Sequence, residues 1–128
     1  FDFKRLAMLL AVLEKRLGPH MGTKDVFVNL VGGLKIDDPA ADLAVITAVA
    51  SSARDKLLPK SIILIGEVGL GGEVRSVSRL DARINEAKSL GFKTVIAPTA
   101  NVKRLKKPPK GIKISGVSNV GEAFHLLF

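Results

Sequence analysis

Apolar segments with helical spacing alternate with strand-like segments along this chain, and this alternation constrains its fold more than any other feature. Leucines recur at helical spacing from Leu6 to Leu17, whereas residues 25–31 (DVFVNLV) and 61–68 (SIILIGEV) are apolar runs of strand length. A helix-like segment lies between the two runs, which together predict a βαβ-type unit with an added hairpin. The whole chain predicts the order α-β-α-β-β-α-β-α-β-α, an α/β (α+β) fold in which helices pack on a mixed sheet.

Cap and turn residues set the expected ends of these elements. Asp2 is predicted to cap the first helix, Gly18 to end it, and Pro39 to open the second. Three acids at that second start are predicted to cap the helix rather than to hold a cation: Asp37, Asp38 and Asp42. The later elements are expected at residues 73–76 (strand), 78–90 (helix), 93–97 (strand), 101–105 (one helical turn), 111–115 (edge strand) and 119–128 (helix capped by Asn119).

Length and composition exclude several classes of protein. The 128 residues suffice for one domain, and the start at Phe1 rather than Met predicts a piece of a longer chain. The absence of cysteine excludes a disulfide scaffold, a thiolate zinc site and a cysteine nucleophile. His20 and His125 alone cannot form a metal site, so both are expected to be structural and no metal is assigned. The apolar run from Leu6 to Leu13 is too short to span a bilayer, so we expect no membrane contact and a cytoplasmic location.

Positive charge is the main functional signal that the composition carries. The chain has 20 Lys and Arg against 12 Asp and Glu, and its formal net charge of +8 favours a polyanionic partner such as DNA. Pro108 and Pro109 are expected to stiffen a basic run in an extended form, and Arg79 and Arg83 to project from one side of a helix. A solvated face is the alternative for either group, and a subunit salt-bridge surface for the arginines. The candidate DNA contacts are Lys103, Arg104, Lys106, Lys107, Lys110, Lys113, Arg75, Arg79 and Arg83.

The glycine-rich stretch at residues 66–74 (GEVGLGGEV) is predicted to form turns. A phosphate-binding P-loop needs a lysine beside its last glycine, and no lysine occurs between Lys60 and Lys88. A dinucleotide fingerprint also fails, because Val74 stands where a small residue should open a helix. No ATP site is therefore assigned to this chain.

Four segments in order resemble the proteolytic domain of Lon-type ATP-dependent proteases: VNLVGGLKIDDPAADLAV, IGEVGLGGEVRSV, RINEAKSLGFKTVIAP and VSNVGEAFHLL. The opening RLAMLLAVLEKRLG extends the resemblance to the C-terminal Lon-like domain of the bacterial Sms/RadA-type DNA repair and recombination ATPases. The resemblance covers most of the chain and implies a single Lon-protease-like domain over residues 1–128.

The catalytic residues of active Lon-like proteases are missing from the matching positions. Their serine nucleophile lies in a segment D-G-P-S-A-G, and their lysine base in a segment G-G-L-K-E-K. Here the first segment reads DDPAAD, with Ala40 in place of the serine, and the second reads SRLDAR, with Asp81 in place of the lysine. Asp38 and Asp42 replace two glycines and would disfavour a developing oxyanion. The resemblance thus implies a kept fold, no catalytic residue and no enzyme activity in this domain.

The same resemblance implies what surrounds the domain. An upstream motor in the parent chain would bind ATP and Mg²⁺ and act as a DNA-dependent ATPase or helicase, whereas this domain needs no cofactor. The expected partners are DNA, further copies of the chain in a homohexamer, and recombination proteins. The expected function is a non-catalytic scaffold that supports the ring and contacts DNA without reading its sequence. Two alternatives stay open: a peptidase with an unconventional site and a pure protein-interaction domain.

Overall fold

Five helices and five strands occur in the part of the chain that the computed structural model describes, residues 3–17 and 38–128. The helices are α1 (Phe3–Leu17), α2 (Asp42–Arg54), α3 (Leu80–Ser89), α4 (Thr99–Lys103) and α5 (Val120–Leu127). The strands are β1 (Ile62–Leu64), β2 (Glu67–Val68), β3 (Val74–Arg75), β4 (Thr94–Pro98) and β5 (Lys113–Val117), and a 3-10 turn (Pro39–Ala41) precedes α2. The strand expected at residues 25–31 and four single residues lie outside the described ranges: Asp2, Gly18, His20 and Asp37.

Three parallel strands in the order β1-β4-β5 form the main sheet, and β2 pairs with β3 in a separate antiparallel hairpin. In the main sheet Ile96 of β4 is in register with Leu64 on one side and with Ser115 on the other. The combination of parallel strands, a hairpin and packed helices confirms the predicted α/β class.

After Thr94, the central strand β4 is apolar and buried, because helices cover both faces of the sheet. Val95 and Ala97 pack with residues of α3, among them Ile84. Ile96 faces the other way and packs with residues of α1, α2 and α5, among them Phe124. All of these side chains except Phe124, which is 7% exposed, are at least 98% buried, so the two cores meet at the sheet.

Helix α1 buries part of the leucine stripe that its spacing predicts. Leu9, Val12 and Leu13 are buried in one cluster with Leu43 and Ile46 of α2. The contact fixes the first helix against the start of the second, which directly follows the 3-10 turn that contains Ala40.

Several element boundaries differ from the predictions, and α4, for example, occupies Thr99–Lys103 rather than residues 101–105. The apolar run at residues 61–68 is divided, because Gly66 leaves the sheet and donates its N–H to the carbonyl of Ala40 (2.9 Å). Helix α3 begins at Leu80 rather than near Ser78, because Arg79 has a left-handed backbone (φ 56°, ψ 44°). The last strand occupies Lys113–Val117 rather than residues 111–115, since Gly111 lies in a turn with φ 85°.

Other predictions at this level are confirmed. Pro39 opens the 3-10 turn, and β2 and β3 form the hairpin expected from the glycine-rich stretch. Asn119 caps α5 by accepting a hydrogen bond from the backbone N–H of Glu122 (2.9 Å). None of the helices within the two described ranges is long and apolar enough to cross a membrane.

Candidate functional site

A side-chain cap holds the segment in which Ala40 stands at the position of the family's serine nucleophile. Asp38 precedes the 3-10 turn, and its Oδ1 accepts a hydrogen bond from the backbone N–H of Ala40 (3.0 Å). Its Oδ2 accepts one from Nη1 of Arg83 on α3 (2.9 Å). The N–H of Ala40 and, after it, the guanidinium of Arg83 hold the pKa of Asp38 below its usual value. The capping role predicted for Asp38 is confirmed.

Ala40 lies at the edge of an apolar cleft between α2 and α3. The cleft has a volume of about 450 Å³, and the Asp38–Arg83 ion pair contributes both of its members to the lining. Its other lining residues are Ala40, Ala41, Ala44, Ile63, Leu64, Ile65, Glu86, Ala87 and Leu90. Ala40 itself is 94% buried and brings only a methyl group, so this cleft has no nucleophile at the family's position.

Asp81, at the position of the lysine base, does not share that cleft. Its side chain lines a second cleft with Leu80 and Asn85, whereas Arg83 and Glu86 of the same helix line the first. The two positions of the catalytic pair thus lie at different cavities of the described structure. Ala40 and Asp81 line no common cavity of the described residues, whereas a nucleophile and its base need to lie within hydrogen-bond reach of each other.

Asp42 has a different role from the one predicted. It is fully buried, and its carboxylate accepts hydrogen bonds from Nε of Arg5 (2.6 Å) and the backbone N–H of Val68 (3.0 Å), with a further contact to Nη2 of Arg5. Arg5 also reaches Oε1 of Glu67 (3.3 Å). The hydrogen bond to Asp42 raises the pKa of Arg5 above its usual value. The predicted cap at Asp42 is wrong, because a long-range ion pair takes both oxygens.

The second cleft gathers basic residues that the sequence placed in two separate groups. It has a volume of about 610 Å³ and lies between the first half of α3 and the segment that follows α4. Four cations line it: Arg79, Arg104, Lys106 and Lys107. None of the four has an ion pair within 4.0 Å to any residue in the described ranges. Their charge is therefore available to a ligand; we call this the basic cleft.

Neutral residues join the two walls of the basic cleft. Oδ1 of Asn101 on α4 accepts a hydrogen bond from the N–H of Val77 (2.8 Å), and its Nδ2 donates one to the carbonyl of Val77 (2.9 Å). This two-bond pairing ties α4 to the loop that carries Arg79. The partners are 24 residues apart, and no sequence pattern marked Asn101.

The remaining candidate contacts lie elsewhere or are paired. Lys103, Lys110 and Lys113 are exposed but do not line the basic cleft. Arg75 forms an ion pair with Glu73 (2.9 Å). Arg83 forms an ion pair with Asp38 and lines the apolar cleft. The expectation that Arg79 and Arg83 project from one side of a helix is wrong, because Arg79 precedes α3 and lines the basic cleft.

The sheet divides the predicted basic run in two. Residues 104–107 follow β4 and α4 and thus lie towards the carboxyl edge of the parallel strands. Lys113 begins β5 in register with Thr94, the first residue of β4, and is therefore at the amino edge. Ligands of open α/β sheets bind outside the carboxyl edge, where the basic cleft lies.

No cluster of three or more His, Asp or Glu suited to a metal ion occurs within residues 3–17 and 38–128. His125 is exposed on α5 and lines shallow surface pockets with residues of that helix, such as Gly121.

Comparison with known proteins gives one consistent result. A family model described as the Lon protease (S16) C-terminal proteolytic domain matches residues 16–127. Curated proteins named DNA repair protein RadA are similar to the chain. The relative from Bacillus subtilis (strain 168) is 49% identical over 95% of the chain and 26% of its own length. The relative from Chlamydia pneumoniae is 48% identical over 99% of the chain and 28% of its own length. The relative from Escherichia coli (strain K12) is 49% identical over 93% of the chain and 25% of its own length. The chain thus spans about a quarter of the length of these relatives.

Proposed function

Because this chain belongs to the Lon protease (S16) C-terminal proteolytic domain family, we propose that it is a peptidase-inactive member which gives a DNA repair protein a scaffold and a DNA contact. The observation that carries the proposal is the basic cleft, in which four cations without an ion pair among the described residues line one cavity. The relatives named DNA repair protein RadA support the setting.

The loss of peptidase function follows from chemistry that the residues cannot perform. Ala40 offers no oxygen to attack a peptide carbonyl, and Asp81 faces another cleft. Asp38 adds a carboxylate beside Ala40, which opposes the negative charge of a tetrahedral intermediate. An unconventional peptidase site would need a second nucleophile and base within reach of each other.

The DNA contact follows from electrostatics. Guanidinium and ammonium groups in one cleft can bind successive phosphates of a strand, which positions nucleic acid without reading its bases. Arg79 and Arg104 offer forked donors that match phosphate oxygens, and Lys106 and Lys107 add point charges. We propose Lys103, Lys110, Lys113, Arg75 and Arg83 only as weaker outer contacts, since each lies outside the cleft or is paired.

The scaffold role concerns the whole parent protein. The relatives are about four times as long as the matched segment, which leaves room in such a chain for the ATP- and Mg²⁺-binding motor that the family resemblance implies. We propose that the parent is a DNA-dependent ATPase or helicase, that this domain supports its homohexameric ring, and that recombination proteins are its partners. We expect that a domain without catalytic activity is retained because its surfaces bind partners.

The test compares two charge-matched triple variants of the intact parent protein. Arg104, Lys106 and Lys107 are changed together to Ala in one, and Lys103, Lys110 and Lys113 in the other. Affinity for one oligonucleotide is measured across about 50 to 200 mM salt. Each lost phosphate contact lowers the magnitude of the slope of log affinity against log salt by about 0.7 to 0.9, so the first variant should lose roughly two to three units.

The control variant loses the same charge outside the cleft and should lose less than one such unit. Equal losses in both variants would show that general positive charge, and not the cleft, binds DNA. An unchanged slope in the first variant would reject the DNA contact and favour a protein-interaction domain. Both variants change exposed side chains, so thermal melting should remain close to that of the wild type.

A further inference from the structure

We propose that Asp81 weakens the binding of nucleic acid in the basic cleft by repelling phosphate, so that the position of the family's general base now tunes DNA affinity. This inference rests on the proposed DNA contact. Asp81 is the one acid among the residues that line the cleft, where it faces four cations.

The Asp81 carboxylate is placed so that its negative charge can act on a bound phosphate. It is exposed in the first turn of α3, and no ion pair within 4.0 Å joins it to any residue that the structure describes. Three other acids differ in this respect, since Asp38, Asp42 and Glu73 are each bound by an arginine. The charge of Asp81 is therefore not neutralised locally, and it opposes any phosphate in the same cavity.

The magnitude of the effect follows from the size of the cleft. A cavity of about 610 Å³ is roughly 10 Å across, which is comparable with the Debye length of about 8 to 10 Å, so salt screens interactions between its lining groups only in part. Removing one unit of negative charge at that range should tighten binding about threefold to tenfold at low salt. The motif of active proteases has lysine here, so aspartate leaves the cleft two charge units less positive than that motif would make it.

A weak hold has a physical use in a DNA-handling protein. Affinity differences between variants of one interface arise mostly from dissociation rates, so a carboxylate that repels phosphate shortens the residence time of a bound strand. Arginines and lysines then steer the strand into the cleft, while Asp81 keeps the contact reversible.

The experiment is a charge series at two positions of the same helix. Asp81→Asn and Asp81→Lys are compared with Glu86→Gln and Glu86→Lys in the intact parent protein. Glu86 lies on α3 but lines the apolar cleft, so it matches the change in net charge without facing the cations. The probe is a labelled single-stranded oligothymidine, because thymine has no exocyclic amino group that a carboxylate could bind.

We expect Asp81→Asn to tighten binding about threefold to tenfold, Asp81→Lys to tighten it further, and both gains to shrink as salt rises. The Glu86 variants should change the affinity by less than about twofold. No gain in the Asp81 variants, or an equal gain in the Glu86 variants, would overturn the inference. Weaker binding of oligocytidine by Asp81→Asn would also overturn it, because Asp81 would then recognise a base amino group.

The outcome is separable from that of the proposed function. If the Arg104, Lys106 and Lys107 triple variant binds DNA normally, the DNA contact itself is rejected. If the triple variant loses affinity while Asp81→Asn gains none, only the role of Asp81 fails. Thermal melting of each variant excludes unfolding as the cause, since Asp81 also lies where a helix favours negative charge.

Discussion

Two substitutions relative to the protease motif have opposite consequences in the same segment. Ala40 removes the hydroxyl and adds nothing, whereas Asp42, which stands where the motif has glycine, brings a carboxylate that is fully buried. That carboxylate joins Arg5 of α1 to the backbone of Val68 in the hairpin. The segment that matches the protease motif thereby forms a structural junction between three elements.

The first prediction concerns this buried pair. Arg5→Ala should destabilise the domain by about 3 to 5 kcal/mol, because Asp42 would remain buried without its counter-charge. Asp42→Asn should cost less, since Arg5 is partly exposed and can be hydrated. Urea denaturation measures both. Arg75→Ala is the control: its ion pair with Glu73 is exposed to solvent and should contribute little to stability. Equal losses for Arg5→Ala and Arg75→Ala would contradict this role for Asp42.

The second prediction concerns Ala40. Ala40→Ser alone should not create peptidase activity, because the new hydroxyl would lie in a different cleft from Asp81 and beside the Asp38 carboxylate. The measurement is casein hydrolysis with and without a serine-directed inhibitor, and the wild type serves as the background. Turnover that the inhibitor abolishes would show that another base serves this position.

At the scale of elements, the sequence was sufficient to predict a helix start or cap wherever a single residue determines the local backbone. Pro39 and Asn119 act where their chemistry predicts, and the order of helices and strands matches in the described part of the chain, except that the strand predicted at residues 61–68 is two strands, β1 and β2. The errors arise where a distant partner decides. Gly66 leaves its strand to bond to Ala40, and Arg79 adopts a left-handed backbone, which no periodicity encodes.

The third prediction concerns the link between α4 and the loop before α3. Asn101→Ala removes both hydrogen bonds to Val77, so it should cost about 1 to 3 kcal/mol and loosen the basic cleft. DNA affinity should fall even under conditions where the variant is fully folded. Asn119→Ala is the matched control, because it loses a helix cap worth about 1 kcal/mol and does not line that cleft. A fall in affinity of the same size in both variants would assign the effect to stability alone.

At the scale of the molecule, the order of strands in the sheet determines which basic residues lie in the same cleft. The basic run at residues 103–113 is continuous in sequence, yet its beginning and its end lie towards opposite edges of the parallel strands. Arg79, which is 25 positions before Arg104, shares the cleft with it instead. Charge counting predicted a polyanion-binding surface but not its location, because location depends on strand order and on the crossover helix.

The last prediction concerns assembly. Some leucines remain exposed on the described surface, among them Leu57, Leu70 at the tip of the hairpin, Leu90 and Leu126, and a ring repeats one heterologous interface that can cover such side chains. We expect the intact parent protein, with nucleotide and DNA present, to sediment as a hexamer. A variant of the parent that lacks this domain should form smaller species under the same conditions, because the proposed scaffold surfaces are missing. Sedimentation velocity over a range of concentrations separates these outcomes, since a real ring persists on dilution further than non-specific association does. Monomeric behaviour of the intact protein under every condition would contradict the ring, and an unaltered hexamer without the domain would assign ring formation to the rest of the parent chain.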